Sequence, residues 1–280
     1  MRKNVVRYLR CPHCAAPLRS SDRTLRCENG HTFDVARQGY VNLLRRPTKL
    51  AADTTDMVAA RAALLDSGHY APLTERLRGT SAGAAGAGAP DCVVDIGGGT
   101  GHHLARVLEE FEDAEGLLLD MSKPAVRRAA RAHPRASSAV ADVWDTLPLR
   151  DGAAAMALNV FAPRNPPEIR RILRPGGTLL VVTPQQDHLA ELVDALGLLR
   201  VRDHKEGRLA EQLAPHFEAV GQERLRTTLR LDHDALGRVV AMGPSSWHQD
   251  PDELARRIAE LPGIHEVTLS VTFTVCRPLP

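Results

Sequence analysis

The chain has 280 residues, 43% hydrophobic and 25% charged, the make-up of a soluble globular protein with room for one large domain and a small module. No apolar run approaches the ~20 residues needed to span a bilayer, and the basic start MRKNVVRYLRCPHC has no apolar core of a signal peptide behind it, so a membrane partner is not expected and a cytoplasmic protein is. The net charge of +2 hides an asymmetry: residues 1–50 carry eleven Lys/Arg against Asp22, Glu28 and Asp34, and the rest of the chain is mildly acidic. A basic N-terminal module on an acidic body points to a polyanionic partner, ahead of the alternative that the charge merely keeps a small module soluble.

Three of the five cysteines fall within residues 11–31, CPHCAAPLRSSDRTLRCENGH. Cys11 and Cys14 form C-x2-C, twelve residues follow, and Cys27-x3-His31 closes the set. Two close pairs of soft or borderline ligands match a tetrahedral structural Zn²⁺ site, and Pro12 and Gly30 suit the turns that aim paired ligands at one metal. Four protein ligands close such a site, so the metal would hold the fold without activating a water. It also supplies stability that so small a module cannot draw from a core. His13, between the two cysteines, is poorly placed to compete. Cys92 and Cys276 lie in the apolar runs CVVDI and TFTVC and read as buried thiols, not as a disulfide.

The next stretch, DVARQGYVNLLRRPTKLAADTTD, is basic and polar and reads as a connector. MVAARAALLDSGHYAPLTERL has apolar residues at helical spacing, interrupted near Ser67-Gly68, and GTSAGAAGAGAP, residues 79–90, has the composition of a flexible surface loop or linker. This divides the chain into a zinc module (1–46), connector and linker helices (47–90) and a main domain (91–280). In the last, the apolar runs CVVDI, GLLLD, SSAVAD, AAAMALNVF and TLLVVTP read as strands. HHLARVLEEFED, SKPAVRRAARAH with Ser122 as N-cap, and PPEIRRILRPGG ended by glycine read as the helices between them. Strands alternating with helices predict an α/β fold with a doubly wound parallel sheet, which HEVTLSVTFTVCRP would finish as an antiparallel exposed or edge strand.

VVDIGGGTGHHLA joins the first strand of that domain to its first helix. Gly97, Gly99 and Gly101 behind Asp95 permit a tight turn and close backbone approach to a ligand at a helix N-terminus. A dinucleotide fingerprint would need glycine where His102 stands, and the Gly-Lys-Ser/Thr of a P-loop is missing. D-x-G-x-G-x-G resembles the cofactor loop of the class I S-adenosylmethionine-dependent methyltransferases, a Rossmann-like family. By that resemblance Asp120, ending LLLD, would bind the ribose hydroxyls, and Asp142, in AVAD, would lie near the adenine amino group. Either acid alone reads as a cap at a strand end; three acids in register after successive strands point to the cofactor.

The order zinc knot, FDVARQGYVNLL, RAALLDSGHYAPL, DIGGGTG is similar over essentially the full chain to the RlmA-type 23S rRNA (guanine-N1)-methyltransferases. The resemblance implies a zinc-binding rRNA-recognition module and a methyltransferase domain, often paired as a homodimer. It implies as substrate N1 of one guanine in a hairpin loop of 23S rRNA lining the peptide exit tunnel, where methylation gives resistance to tylosin-like macrolides. It assigns Cys11, Cys14, Cys27 and His31 to zinc, Gly99 and Thr100 to the cofactor loop, and Tyr70 and His188 to the cofactor site. From the residues alone Tyr70 equally fits a core aromatic and His188 a histidine in a helix's first turn. NVFAPRNPPEI departs from the Asn/Asp-Pro-Pro-aromatic of base-amino methyltransferases, so their base clamp is not carried over.

Guanine N1 carries a proton at neutral pH, which a positioned carboxylate or histidine must take. Asp142, Glu168 and His188 are the candidates, each also readable as structural or cofactor-binding. Trp144 or Phe161 could stack an unstacked base or pack in the core. Arg7, Arg10, Arg19, Arg23, Arg26, Arg37, Arg45, Arg46 and Lys49 are candidate phosphate contacts. Two rival functions stand beside this one: a methyltransferase of small molecules whose zinc module binds protein, and a non-enzymatic S-adenosylmethionine-sensing zinc-ribbon regulator.

Overall fold

The computed structural model describes residues 1–48, 52–85, 88–196, 205–243 and 250–280. The chain opens with the single turn α1 (Lys3–Val6), followed by β1 (Arg19–Ser21), β2 (Thr24–Arg26) and β3 (Thr32–Asp34), a three-stranded antiparallel sheet. β1 is exposed throughout and β2 buries only Leu25, so this sheet has little core of its own. β4 (Val41–Asn42) returns on β3 through a turn in which Ala36 N–H donates to the Tyr40 carbonyl. It then pairs in parallel with a strand of the main sheet, so the basic stretch read as a connector contains a strand that ties the module to the body.

α2 (Thr55–Asp66), capped by the Thr54 hydroxyl, and α3 (Ala71–Ala84) are separated at Ser67-Gly68, with Gly68 at φ +82°. α3 runs six residues into the stretch expected to be a loop. Its small residues do not break it because Thr80 and Ser81 donate to the carbonyls of Arg76 and Leu77, and the terminal carbonyl of Ala84 accepts from Thr178 and Arg277.

The main sheet has eight strands. β5 (Cys92–Ile96), β6 (Glu115–Asp120), β7 (Ala136–Val140), β8 (Ala154–Val160) and β9 (Leu173–Pro184) are parallel, linked by α4 (His102–Leu108), α5 (Lys123–Ala129) and α6 (Pro166–Ile172). α7 (Ala190–Leu196), α8 (Lys205–Leu213), β10 (Phe217–Asp232), α9 (His233–Ala241), α10 (Pro251–Ala259) and β11 (Ile264–Pro278) follow. The order across the sheet is β10-β11-β9-β8-β5-β6-β7-β4. From β5 the chain winds outward through β6 and β7, then resumes on the other side at β8, so the carboxyl ends of β5 and β8 form the switch point where such sheets bind ligands.

Two expectations are corrected. α6 is not ended by glycine: Leu173 turns extended at its C-cap and the chain passes directly into β9, which contains Gly176-Gly177. β11 is antiparallel, as expected, but it is neither exposed nor the edge; it lies between β9 and β10 with an unbroken buried stretch. Its alternating Thr268, Ser270, Thr272 and Thr274 are all buried: Glu191 accepts from the Thr268 N–H and hydroxyl and Gln185 bonds Thr272, whereas the Thr274 hydroxyl has no partner among the described residues.

Each face of the sheet carries one apolar cluster. On one, Leu64, Leu73, Leu104, Val126, Leu236 and Phe273 join α2, α3, α4, α5 and α9 to the sheet. On the other, Val5, Leu9, Leu18 and Leu25 of the N-terminal module pack with Val94, Leu117, Leu147 and Ile172. The module therefore covers part of the second face of the sheet. Arg2 reinforces the contact by pairing with Glu115 at 2.9 Å.

Candidate functional site

The four predicted zinc ligands converge. Their ligand atoms lie within 4.8 Å of one another. Cys14 Sγ is 3.7 Å from Cys27 Sγ, and His31 Nδ1 is 3.4 Å from Cys27 Sγ and 3.6 Å from Cys11 Sγ. A Zn–S bond of about 2.3 Å sets tetrahedral S···S edges of ~3.8 Å, so these spacings fit one Zn²⁺. The turns are local: Ala15 N–H donates to Cys11, Gly30 N–H to Cys27, and Gly30 sits at φ +83°. His13 packs against the rings of His31 and Phe33, outside the ligand set. Four protein donors leave no open position, which makes this a structural centre.

A cavity of about 450 Å³ opens at the switch point. Tyr70, Asp95, Gly97, Gly99, Thr100, Asp120, Asp142 and His188 all line it, although they come from widely separated parts of the chain. Gly97 and Gly99 stand at φ +71° and +57°, where L side chains are strained, and a Cβ on Gly97 would come within 2.6 Å of Ala162 Cβ. Gly98, not singled out from the sequence, is as constrained: its Cβ would stand 2.4 Å from Asp95 Oδ2. Gly101 does not line the cavity. It lets the start of α4 approach Ala129 and Ala132, about 3 Å from an added Cβ, so its role is packing.

Asp95 is 1% exposed and neither carboxylate oxygen has a hydrogen-bond partner among the described residues. Burial, with the charge of Asp120, pushes its carboxyl up to about 7. Asp120 is also raised by burial, but Oδ1 accepts from Ser122 N–H at 2.8 Å and Oδ2 from Gly99 N–H at 2.9 Å, which favours its charged form. Ser122 meanwhile caps α5 by accepting from Ala125 N–H, as the sequence indicated. Tyr70 is buried and its hydroxyl has no partner among the described residues. An orphaned carboxylate and an orphaned phenol on one cavity wall suit a ligand that brings a cation and a hydrogen-bonding group.

Three further residues, Asp53, Arg61 and His103, reach the cavity without a sequence signal. Arg61 pairs with Asp53 and donates to the Met242 carbonyl, and its Nη1 lies 3.3 Å from where a Cβ of Gly99 would stand. His103 is held by burial down to about 3, hence neutral, near the Thr74 hydroxyl.

At the rim, Trp144 is 59% and Phe161 42% exposed. Neither packs in the core. Phe161 is held at φ +52°, a costly conformation for an aromatic residue, with its ring 5.7 Å from that of His188. Ser270 N–H donates to His188 Nδ1, which leaves the proton of the neutral ring on Nε2. Asp142 Oδ1 accepts from Trp144 N–H at 2.9 Å. Glu168 is not at the cavity, which corrects its candidacy as a proton acceptor. It accepts from Leu147 N–H and pairs with Arg171 at 2.6 Å, pinning the 147–151 segment.

Of the candidate phosphate contacts, Arg7 lies over the Tyr8 ring and donates to its hydroxyl, and Arg10 pairs with Asp151. Arg19, Arg23, Arg26, Arg37, Arg45 and Arg46 are exposed; Lys49 falls outside the described residues.

Residues 9–49 match the family model described as RlmA, N-terminal, and residues 93–177 a methyltransferase domain. The chain is 99% identical over 280 residues, all of both chains, to a 23S rRNA (guanine(748)-N(1))-methyltransferase of Streptomyces fradiae. It is 50% identical, again over all of both chains, to a putative 23S rRNA (guanine-N(1)-)-methyltransferase of Micromonospora griseorubida. Among solved structures it resembles the YcgJ protein of Bacillus subtilis with a TM-score of 0.50 at 14% identity, covering 72% of this chain and 98% of that one, a likeness of fold alone.

Proposed function

The chain belongs to the RlmA-type 23S rRNA (guanine-N1)-methyltransferases, and from that membership we propose that it methylates N1 of the guanine named for its Streptomyces relative, position 748 of 23S rRNA, using S-adenosylmethionine. The 99% identity across the whole chain carries this reading. We extend the reading, on the resemblance alone, to a cytoplasmic setting, a homodimer, a target in a hairpin loop of the exit tunnel, and protection against tylosin-like macrolides. No described helix is long and apolar enough to cross a membrane.

The cavity residues fit the cofactor. Asp95, buried without a partner among the described residues, would receive the ammonium of its methionine end, and Arg61 beside Gly99 the carboxylate. Asp120 keeps lone pairs for the ribose hydroxyls after accepting two N–H groups. The left-handed glycines bring backbone, not side chains, against the ligand. When bound, S-adenosylmethionine supplies a methyl group already activated by its sulfonium sulfur. Most of the remaining barrier then depends on holding guanine N1 in line and removing its proton.

Four carboxylates line the cavity. Asp53 is paired with Arg61, Asp95 is taken up by the cofactor's ammonium, and Asp120 holds the loop. Asp142 accepts a single N–H bond and stands next to exposed Trp144, so it is the acceptor for the N1 proton. His188, with its proton on Nε2, is a donor suited to guanine O6, where negative charge gathers as N1 loses its proton. Phe161 and Trp144 form the stacking rim for a base drawn out of its loop.

The test uses radiolabelled S-adenosylmethionine, the purified protein and protein-free 23S rRNA, followed by primer extension. N1-methylguanine blocks pairing and should stop reverse transcriptase at one loop guanine, and the stop should vanish with Cys14→Ser and with Gly99→Arg. Cofactor binding without any label in rRNA would transfer the function to a small-molecule substrate or to sensing.

A further inference from the structure

β4 and β7 run in parallel, so the chain leaves both strands at the same edge of the sheet. Leu43 N–H continues the pairing by donating to the Val140 carbonyl at 2.9 Å, and the Leu43 side chain is buried. Residues 43–48, the tail of the zinc module and the start of the connector, are thereby laid along the segment that follows β7. Between them lies a groove of about 490 Å³ whose floor includes Asp142 and Trp144, the same residues that form the rim of the cofactor cavity. The groove is therefore the outer extension of that cavity on the side facing the module.

Its walls are charged in a particular way. Arg45 and Arg46 come from the module's tail, both exposed. Arg45 is 3.6 Å from Asp145, a loose pair with both side chains partly in water. Such a pair contributes little and exchanges readily, whereas a phosphate offers the guanidinium fork two charge-assisted hydrogen bonds. Arg46 has no ion-pair partner among the described residues. Asp145 is itself held in place by Thr146 N–H, so it is Arg45 that moves.

We propose that this groove binds the phosphodiester backbone next to the target guanine, with Arg45 and Arg46 as its cations and Asp145 as the carboxylate that holds Arg45 until RNA replaces it. The proposal rests on the rRNA reading above and adds to it where the flanking nucleotide lies. A base that enters the cavity past Trp144 leaves its own phosphates outside, and the two arginines stand there. The zinc module then has two tasks: general attraction of the polyanion, and delivery of two cations to the mouth of the reaction cavity.

The experiment measures binding of an in vitro transcript of the 23S rRNA hairpin to the full-length protein across a salt series, with the primer-extension stop read in parallel. Arg45→Ala with Arg46→Ala should weaken RNA binding at least tenfold at about 100 mM salt. It should also make the log–log salt slope shallower by about 1.4–1.8, two phosphate contacts' worth, and leave S-adenosylmethionine affinity within twofold, which also reports an intact fold. Asp145→Asn should act in the opposite direction and tighten RNA binding two- to fivefold, because the carboxylate competes with phosphate. An unchanged salt slope in the double variant, or weaker binding in Asp145→Asn, would overturn the subsite. A wild-type protein that leaves no stop on rRNA would instead sink the rRNA reading itself, whereas a normal wild-type stop with indifferent variants would remove only the groove.

Discussion

Replacing Asp95 with asparagine should make the cofactor-free protein more stable while destroying its grip on the cofactor. The carboxyl is raised from an ordinary 3.8 to about 7 by burial first and by the Asp120 charge second. A folded-state value above the unfolded one means that the folded chain keeps a proton the unfolded chain has released. Stability is then full below about pH 4 and falls by about 1.4 kcal/mol per pH unit until the folded carboxyl ionises near pH 7, about 4 kcal/mol in total. About half of that loss falls between pH 5.5 and 8.5. An asparagine side chain has nearly the same shape and cannot ionise, so the stability gap between Asp95→Asn and wild type should widen by about 2 kcal/mol over that interval. Urea denaturation of both proteins at pH 5.5, 7 and 8.5, without cofactor, measures it. Wild-type affinity for S-adenosylmethionine should rise as pH passes upward through 7, since only the carboxylate pairs with an ammonium; the variant should bind weakly throughout. Parallel stability curves for the two proteins would refute the claim that Asp95 is buried without a partner.

Stripping zinc with a strong chelator should abolish rRNA binding and lower the thermal transition, because β1–β3 have almost no apolar core; metal analysis should return one zinc per chain, and re-addition should restore binding. Glu168→Gln should lower kcat no more than about threefold and leave its pH profile in place, since the carboxylate serves Arg171 and Leu147. Asp142→Asn should cut kcat about a hundredfold or more at saturating RNA, within the span expected for a lost general base, measured as single-turnover methyl transfer. Phe161→Gly should relieve the φ +52° strain and raise stability by roughly 1 kcal/mol. It should also lose about 1–3 kcal/mol of base stacking, roughly a 5- to 150-fold rise in KM for RNA with cofactor affinity unchanged.

Much of the fold is legible in the sequence for a local reason. β5 to β9 are short, nearly continuous apolar runs because both faces of a parallel sheet are covered, and the run itself carries the signal. β11 misleads because alternation reports which residues are polar, not what covers them; Thr268, Thr272 and Ser270 meet Glu191, Gln185 and His188 rather than water. β10, sixteen residues along the sheet's edge, shows mostly exposed side chains and no apolar run, so it has no such signal. β4 is two residues long, and nothing local announces that it will leave the zinc module for the main sheet.

The candidate site divides in the same way. Sequence alone determined the zinc ligands, whose spacing sets the metal's geometry within one stretch of chain. It also marked the glycine loop with Asp95, the acid that ends β6 and the acid just past β7 as candidates, because each lies at or just beyond the end of a strand. Tertiary structure decided everything that depends on separate segments meeting. It brought Arg61 and Asp53 from an outlying helix and the segment before it to the cavity, turned His103 of α4's first turn into it, and drew Glu168 away to Arg171. It removed Gly101 from the cavity to the contact between two helices. It also laid Arg45 and Arg46 beside Trp144 through one short parallel pairing. Spacing along a chain fixes geometry only over the few residues a turn can span; beyond that, position follows from which apolar faces bury each other, and this information is spread over the whole molecule.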